Sequence, residues 1–224
     1  GRQRIALKEC KTAVHPFTYD GYTGFTANPY NGCGHRCVYC YATFEWFPNF
    51  YDELQVKVNF PTVLSRQLWE NHVDKPIFLS SATDPYQPLE QRFRLTRKTI
   101  EILQHRRVPY YVFTKSAGVL RDLELHSRYR DNCIIVWSLT TVNQRVKRLV
   151  EPFSSPPQAV LRAMRELSYA GVTVGANIDP IIPGLTDLEG WVEEVVDAVA
   201  ESGGSFVATG ALRLRRDIWE RLRR

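Results

Sequence analysis

Residues 133–177 read CIIVWSLTTVNQRVKRLVEPFSSPPQAVLRAMRELSYAGVTVGAN and hold one complete strand–helix–strand unit. The run Cys133–Leu139 is mostly apolar, which is typical of a strand buried on both faces. In Pro156–Ala170 the apolar side chains recur at helical spacing, and Gly171 follows as a helix C-terminal residue. Val172–Asn177 is a second short apolar run. This order predicts two parallel strands joined by a helix that packs on their sheet.

The same alternation continues along the chain and predicts six strand–helix units. The other predicted strands are Gly24–Asn28, Pro76–Ser81, Val108–Thr114 and Ser205–Thr209. The other predicted helices are Phe60–Asn71, Leu89–Arg106, Gly118–Arg128, Asp187–Ser202 and Asp217–Arg223. Eight such units close a full barrel and fewer curl into an open one. A flat doubly wound sheet competes, but its glycine-rich turn after the first strand is absent. We therefore predict an α/β fold, a partial (β/α)6 TIM-type barrel over residues 24–224 with residues 1–23 as an N-terminal extension.

Composition excludes several classes of protein. The chain has 224 residues, 44% of them hydrophobic and 24% charged, which argues against global disorder. No apolar run approaches the roughly 18 residues of a membrane span. The opening GRQRIALKECKTAV lacks both the apolar core of a signal peptide and an initiator Met. We expect a cytoplasmic, monomeric protein without membrane partners, trimmed at its start.

Positive charge is concentrated at one end of the chain. The net charge is +5, and residues 211–224 hold Arg213, Arg215, Arg216, Arg221, Arg223 and Arg224 against two acidic residues. A basic terminal helix is usually a solvated face, although it could also contact the phosphates of a nucleic acid.

Five cysteines carry most of the chemical information. Cys33, Cys37 and Cys40 fall within the string CGHRCVYC, whereas Cys10 and Cys133 stand alone. An odd count without a secretory signal argues against a disulfide framework and for a metal or redox site. Three thiolates at C-x3-C-x2-C spacing can each bind one iron of a cuboidal iron–sulfur cluster, which leaves the fourth iron open to an exogenous group.

Two other interpretations of these cysteines stay open. The three thiols and His35 could hold a structural zinc ion, although His35 lies inside the cysteine segment, where reaching the same ion would be cramped. The CVYC pair could act as a redox dithiol with an incidental third cysteine.

The string NPYNGCGHRCVYCYA, residues 28–42, follows the first predicted strand and resembles the cysteine motif of the radical S-adenosylmethionine (radical SAM) superfamily. The segments ATDPYQPLE (82–90), FTKS (113–116) and IPGLTD (182–187) resemble its spore photoproduct lyase-like branch. The resemblance implies a [4Fe-4S] cluster held by Cys33, Cys37 and Cys40, with the amine and carboxylate of SAM on the unique iron. It further implies one-electron cleavage of SAM to a 5′-deoxyadenosyl radical that abstracts hydrogen from a substrate. A reduced flavodoxin- or ferredoxin-type protein would donate the electron, and nucleic acid is one candidate substrate.

Polar residues end three consecutive predicted strands and would face one mouth. Thr83 and Asp84 follow the second strand, Lys115 the third, and Ser138 lies near the end of the fourth. The methionine end of SAM needs an acceptor for its ammonium and a cation or hydroxyl donors for its carboxylate. The resemblance implies that these four residues approach that end, and that Tyr39 lies near the adenine. The alternative is that Lys115 and Asp84 form a surface ion pair worth ~0–1 kcal/mol.

One position departs from the branch. Its lyases use a cysteine just before the acid of the second strand as hydrogen donor, whereas SSATD, residues 80–84, has Ser81 there. We therefore predict that the repair reaction itself is absent, and we assign no catalytic residue. Cys133, at the start of its strand, is expected to be a buried small hydrophobe, and Cys10 has no assigned role. The rival functional hypothesis is a non-enzymatic iron–sulfur or zinc-binding module associated with nucleic acid.

Overall fold

The computed structural model describes residues 3–19, 21–45 and 50–223. Its strands, in chain order, are β1 (Arg4–Lys8), β2 (Val14–Tyr19), β3 (Tyr22–Ala27), β4 (Tyr30–Asn31), β5 (Glu53–Lys57), β6 (Ile77–Leu79), β7 (Tyr110–Thr114), β8 (Cys133–Ser138), β9 (Thr173–Ile181) and β10 (Val207–Ala211). Its α-helices are α1 (Ala42–Glu45), α2 (Phe60–Glu70), α3 (Pro88–Phe93), α4 (Leu95–His105), α5 (Leu123–Arg128), α6 (Gln144–Val150), α7 (Pro157–Tyr169), α8 (Trp191–Glu201) and α9 (Arg216–Leu222).

The main sheet confirms the predicted partial barrel. Within the described residues it has seven strands in the order β10-β9-β8-β7-β6-β3-β2. Every neighbouring pair from β3 to β10 is parallel. The sheet is curled, and all six predicted strands take part in it. The carboxyl ends of these six strands lie along one edge, which is where ligands bind in such folds.

Some element boundaries differ from the sequence prediction, and the backbone shows why. The predicted helix 89–106 is divided into α3 and α4 because Arg94 adopts a left-handed conformation, with φ of 53°. Strand β6 ends at Leu79 because Ser80 also adopts a left-handed conformation, with φ of 61°. The predicted helix 187–202 begins only at Trp191, after Gly190 with φ of 78°.

Two further helical segments differ from the sequence prediction. The first half of the predicted helix 118–128 is a 3₁₀ turn over Ala117–Asp122, and α5 follows it. Helix α6 was not predicted at all. Asn143 caps it by accepting hydrogen bonds from the backbone N–H groups of Arg145 and Val146 at 3.0 and 3.2 Å.

Residues 1–23, expected to be an N-terminal extension, contain two strands that the sequence did not predict. Strand β1 pairs in parallel with β5, and β5 pairs with β4, to form a small second sheet. Strand β2 pairs antiparallel with β3 at the edge of the main sheet. The division into an extension and a barrel domain at residue 24 stays a prediction.

The main core lies between the curled sheet and its helices. The predicted face of α7 contributes Val160, Met164 and Leu167, all fully buried. Cys133 is buried in the same core at the start of β8, on the edge opposite the strand carboxyl ends. It therefore behaves as the expected small hydrophobe. Among the described residues, no helix is both long enough and apolar enough to cross a membrane.

Candidate functional site

The three clustered cysteines lie in a loop at the carboxyl ends of the strands, which we call the cysteine loop (residues 32–41). Their thiols are free, with Cys33 and Cys37 buried and Cys40 partly buried. Burial raises the pKa of Cys33 to about 12, with the charges of Asp84 and Cys40 acting in the same direction. Burial is also the largest cause that raises the pKa of Cys37 well above its ordinary value. The charges of Glu151, Cys40 and Cys33 act in the same direction. Cys40 packs against both the apolar cluster that contains Cys33 and the one that contains Cys37.

The segment after β6 holds the first half of the cysteine loop in place. The fully buried amide of Gln87 accepts a hydrogen bond from Gly34 N–H and donates one to the carbonyl of Gly32, both at 3.0 Å. Gly32 has φ of 73°, and a Cβ there would lie 2.5 Å from the carbonyl oxygen of Glu53. Only glycine fits this turn, because a side chain would meet the backbone.

His35 is directed toward the strand ends. Its Nε2 lies 3.2 Å from Oδ2 of Asp84, and its Nδ1 lies 3.0 Å from the carbonyl oxygen of Phe153. Burial lowers the pKa of His35, but the negative charge of Asp84 outweighs this and raises it above its ordinary value. Nε2 faces this carboxylate at ion-pair distance but forms no hydrogen bond with any described residue. The zinc interpretation that used His35 stays a prediction.

Within the described ranges, no three His, Cys, Asp or Glu side chains are grouped so that they could hold a metal ion. Two buried hydroxyl oxygens after β6, on Ser80 and Thr83, make no hydrogen bond within the described part of the chain. Such orphaned polar atoms fit a site that accepts a polar ligand.

Asp84 connects the ends of two strands. Its carboxylate accepts hydrogen bonds from Lys115 N–H at 2.6 Å, Thr114 Oγ1 at 2.8 Å and Tyr86 N–H at 2.8 Å. Burial would raise the pKa of Asp84, but the charge of His35 and the hydrogen bonds lower it below its ordinary value. Asp84 is therefore an ionised, almost fully coordinated carboxylate that positions its neighbours.

Lys115 extends toward the carboxylate of Glu151, which no sequence pattern indicated. Its Nζ lies 3.4 Å from Oε1 of Glu151 and 5.2 Å from the centre of the Tyr39 ring. Glu151 is fully buried and also pairs with Nζ of Lys147. The alternative of a surface ion pair between Lys115 and Asp84 is wrong, since Asp84 contacts the Lys115 backbone and the ammonium pairs with Glu151.

Glu151 is the centre of a buried polar network. Tyr39 donates its hydroxyl to Oε1, Thr140 Oγ1 donates to the same oxygen at 3.0 Å, and Ser154 Oγ donates to Oε2 at 3.0 Å. Burial would raise the pKa of Glu151, but Lys115 and Lys147 lower it far below its ordinary value. Its position at the C-terminal end of the unpredicted helix α6 explains why periodicity alone did not find it.

The remaining predicted residues lie at the same edge of the sheet. Thr114 pairs with Trp137 across β7 and β8, so Lys115 and Ser138 are the next residues on adjacent strands. Ser138 in turn pairs with Asn177 of β9. Their contact with a cofactor stays a prediction, as does the placement of Tyr39 beside an adenine.

Comparisons with known proteins bear on the family and the fold. A family model described as the radical SAM superfamily matches residues 27–211. An uncharacterized protein of Methanocaldococcus jannaschii is 30% identical over 185 residues, which is 81% of this chain and 69% of that protein. An uncharacterized protein of Mycobacterium tuberculosis is 29% identical over 92% of this chain and 64% of its own length. Spore photoproduct lyase complexed with dinucleoside spore photoproduct superposes with a TM-score of 0.74 at 17% identity, over 97% of this chain and 65% of that one.

Proposed function

The chain belongs to the radical SAM superfamily, and from this premise we propose that it is an enzyme that binds a [4Fe-4S] cluster through Cys33, Cys37 and Cys40 and cleaves SAM reductively. The cysteine loop carries the proposal, because it brings three free thiols to the strand carboxyl ends inside a rigid frame. Held by these three thiolates, a cluster would supply the one electron needed to cleave the C5′–S bond of SAM into methionine and a 5′-deoxyadenosyl radical, which would then take a hydrogen atom from the substrate.

Lys115 is suited to the carboxylate of SAM. An ammonium group has three N–H donors, and Glu151 takes one of them, which leaves two for a ligand. The Glu151 carboxylate and the face of Tyr39 fix the direction of the side chain. We assign Thr83 and Ser138 to the same carboxylate as hydroxyl donors. We assign Asp84 to the ammonium of SAM, which would bind the lone pairs that its three internal hydrogen bonds do not use.

The partners follow from the same chemistry. A reduced flavodoxin- or ferredoxin-type protein would deliver the electron to the cluster. Nucleic acid is the substrate class we favour, because the structurally similar lyase holds a dinucleoside lesion and the terminal stretch of this chain is rich in exposed arginine. Binding of a labelled oligonucleotide that weakens steeply with salt would support this assignment, and salt-independent or undetectable binding would contradict it.

Anaerobic reconstitution with iron and sulfide tests the central proposal. We expect a brown protein with about four irons per chain, which forms 5′-deoxyadenosine from SAM only when a reductant is present. Replacing Cys33, Cys37 or Cys40 with Ala should abolish both properties, because one iron then loses its protein ligand. The matched controls Cys10→Ser and Cys133→Ser should keep them.

Two results would overturn the proposal. One is a colourless, zinc-loaded protein that does not cleave SAM, which is the outcome that a structural zinc module predicts. The other is retention of the cluster in Cys37→Ala together with its loss in Cys133→Ser.

A further inference from the structure

Helix α9 lies against the cysteine loop through one arginine of the basic C-terminal stretch. Arg221 donates from Nε to the carbonyl oxygen of Val38 at 2.6 Å and from Nη2 to that of Cys40 at 3.1 Å. Its Nη1 donates to Oδ2 of Asp217, one turn earlier in the helix, at 2.9 Å. All three contacts are charge-assisted, and the planar guanidinium meets two carbonyl groups of the loop at once.

Further hydrogen bonds hold the same two residues of the loop. Thr43 Oγ1 donates to the carbonyl oxygen of Cys40 at 2.8 Å, and it also contacts Oδ2 of Asp217 at 3.2 Å. The N–H of Val38 donates to the carbonyl oxygen of Val150 at 2.9 Å, so the Val38 residue is held on both sides. Arg221 adds to these contacts the hydrogen bonds to the carbonyl groups of Val38 and Cys40.

Apolar packing supports the position of α9. Ile218 is fully buried against Cys37, Tyr39 and neighbouring apolar residues. The guanidinium of Arg221 lies 5.7 Å from the ring centre of Tyr51, whose hydroxyl donates to the carbonyl of Cys37. The face of α9 that carries Ile218 and Arg221 thus packs against the cysteine loop.

A second arginine on the same helix provides a contrast. The side chain of Arg216 is 94% exposed and pairs with Glu220 at 3.4 Å, as a solvated helix face does. The side chain of Arg221 is only 22% exposed. The basic stretch therefore contains residues with two different roles.

We propose that Arg221 is a positioning residue that fixes the backbone of Val38 and Cys40, so that the thiols of Cys37 and Cys40 face the cluster site together. This inference rests on the proposed function, since the geometry matters for the cluster that those thiols would hold. A lysine could not replace the arginine fully, because a single ammonium cannot span two carbonyl groups in the way that the guanidinium fork does.

Alkylation of individual thiols in the full chain without metal tests the proposal. Arg221→Met keeps the apolar stem and removes the donors, and Arg216→Met is the matched control. We expect iodoacetamide to modify Cys40 roughly tenfold faster in Arg221→Met, which corresponds to about 1.4 kcal/mol of lost protection. Arg221→Lys should restore only part of that protection, and Arg216→Met should match the wild-type chain.

Buried Cys133, far from the loop, serves as an internal reference for global unfolding. Equal acceleration at Cys133 and Cys40, an unchanged rate at Cys40, or full protection in Arg221→Lys would each overturn the proposal. If Arg221→Met does not fold, Thr43→Val tests the same set of contacts, and it should also expose Cys40 selectively. An unchanged rate at Cys40 in that variant would overturn the proposal.

The reconstituted protein gives a second measurement. Iron should be lost to a chelator faster from Arg221→Met than from Arg216→Met, and equal rates would contradict the assignment. If the wild-type chain takes up no cluster, the proposed function fails, while thiol alkylation still reports on the contacts of Arg221.

Discussion

Replacing Glu151 with Gln removes the negative charge from a buried site that holds two lysine ammonium groups. The side chain of Glu151 is 0% exposed, that of Lys147 is 2% exposed and that of Lys115 is 16% exposed. Glutamine keeps the shape and one carbonyl acceptor for Thr140 or Tyr39. The variant therefore tests the charge of the network more than its packing.

The expected loss of stability is large. Removing one partner of a buried ion pair costs about 3–5 kcal/mol, because the other charge is left buried without compensation. Since Gln retains part of the hydrogen bonding, we expect the lower end of this range, about 3 kcal/mol. A typical domain has about 5–15 kcal/mol of total stability, so the midpoint of unfolding should fall clearly.

Urea unfolding at neutral pH, followed by circular dichroism, measures this loss. Glu124→Gln is the matched control, because Glu124 lies 3.6 Å from Arg128 in an exposed pair. Such a pair contributes about 0–1 kcal/mol, so the control should resemble the wild-type chain. In a Lys147→Met background, Glu151→Gln should cost less, because one uncompensated charge is then absent. If Glu151→Gln and Glu124→Gln unfold at the same midpoint, the buried network does not stabilise the fold as argued.

Three further predictions address the ligand, the pH dependence and the reaction. Lys115→Ala should weaken SAM binding by about 1.5–3 kcal/mol, because a charge-assisted hydrogen bond is lost. Titration calorimetry at intact iron content would measure this, and unchanged affinity would leave Lys115 with only its ion pair to Glu151. Burial lowers the pKa of His126 to about 4, so below its ordinary value of about 6.5 the unfolded chain binds a proton that the folded chain does not. The contribution of His126 to the free energy of unfolding is therefore fully present above that ordinary value. It decreases as the pH drops toward 4, and about 2 kcal/mol is lost at pH 5. His126→Gln should remove this part of the slope and the exposed His105→Gln should keep it; identical slopes would contradict the assignment. Finally, the reduced protein should cleave SAM without restoring thymines from spore photoproduct, because the resemblance places Ser81 where the lyases have a donor thiol and an alcohol O–H bond is stronger than the C–H bond to be formed. Efficient repair of the dinucleotide lesion would refute this.

The sequence predicted those features that depend on residues close together in the chain. The spacing of Cys33, Cys37 and Cys40 identified the candidate cluster loop, and the alternation of apolar runs with helical periodicity identified six strands and their partial barrel. The carboxyl ends of parallel strands share one edge of their sheet, so Thr83, Asp84, Lys115 and Ser138 are assigned to one mouth by their positions after successive strands. Their order in the chain is sufficient for this.

Other features depended on contacts between distant parts of the chain. The hydroxyl of Tyr39 meets Glu151 across 112 positions, and Arg221 meets Val38 across 183. No periodicity in the sequence links such residues. A charged side chain is expected to be solvated unless the fold buries it beside a partner. For the same reason, the sequence placed Asp84 at a strand end but did not indicate its contacts with Thr114 and the Lys115 backbone. The sequence alone therefore determined which residues gather at the mouth of the barrel, and the tertiary structure decided which charges are paired there, because burial makes the pairing of charges obligatory.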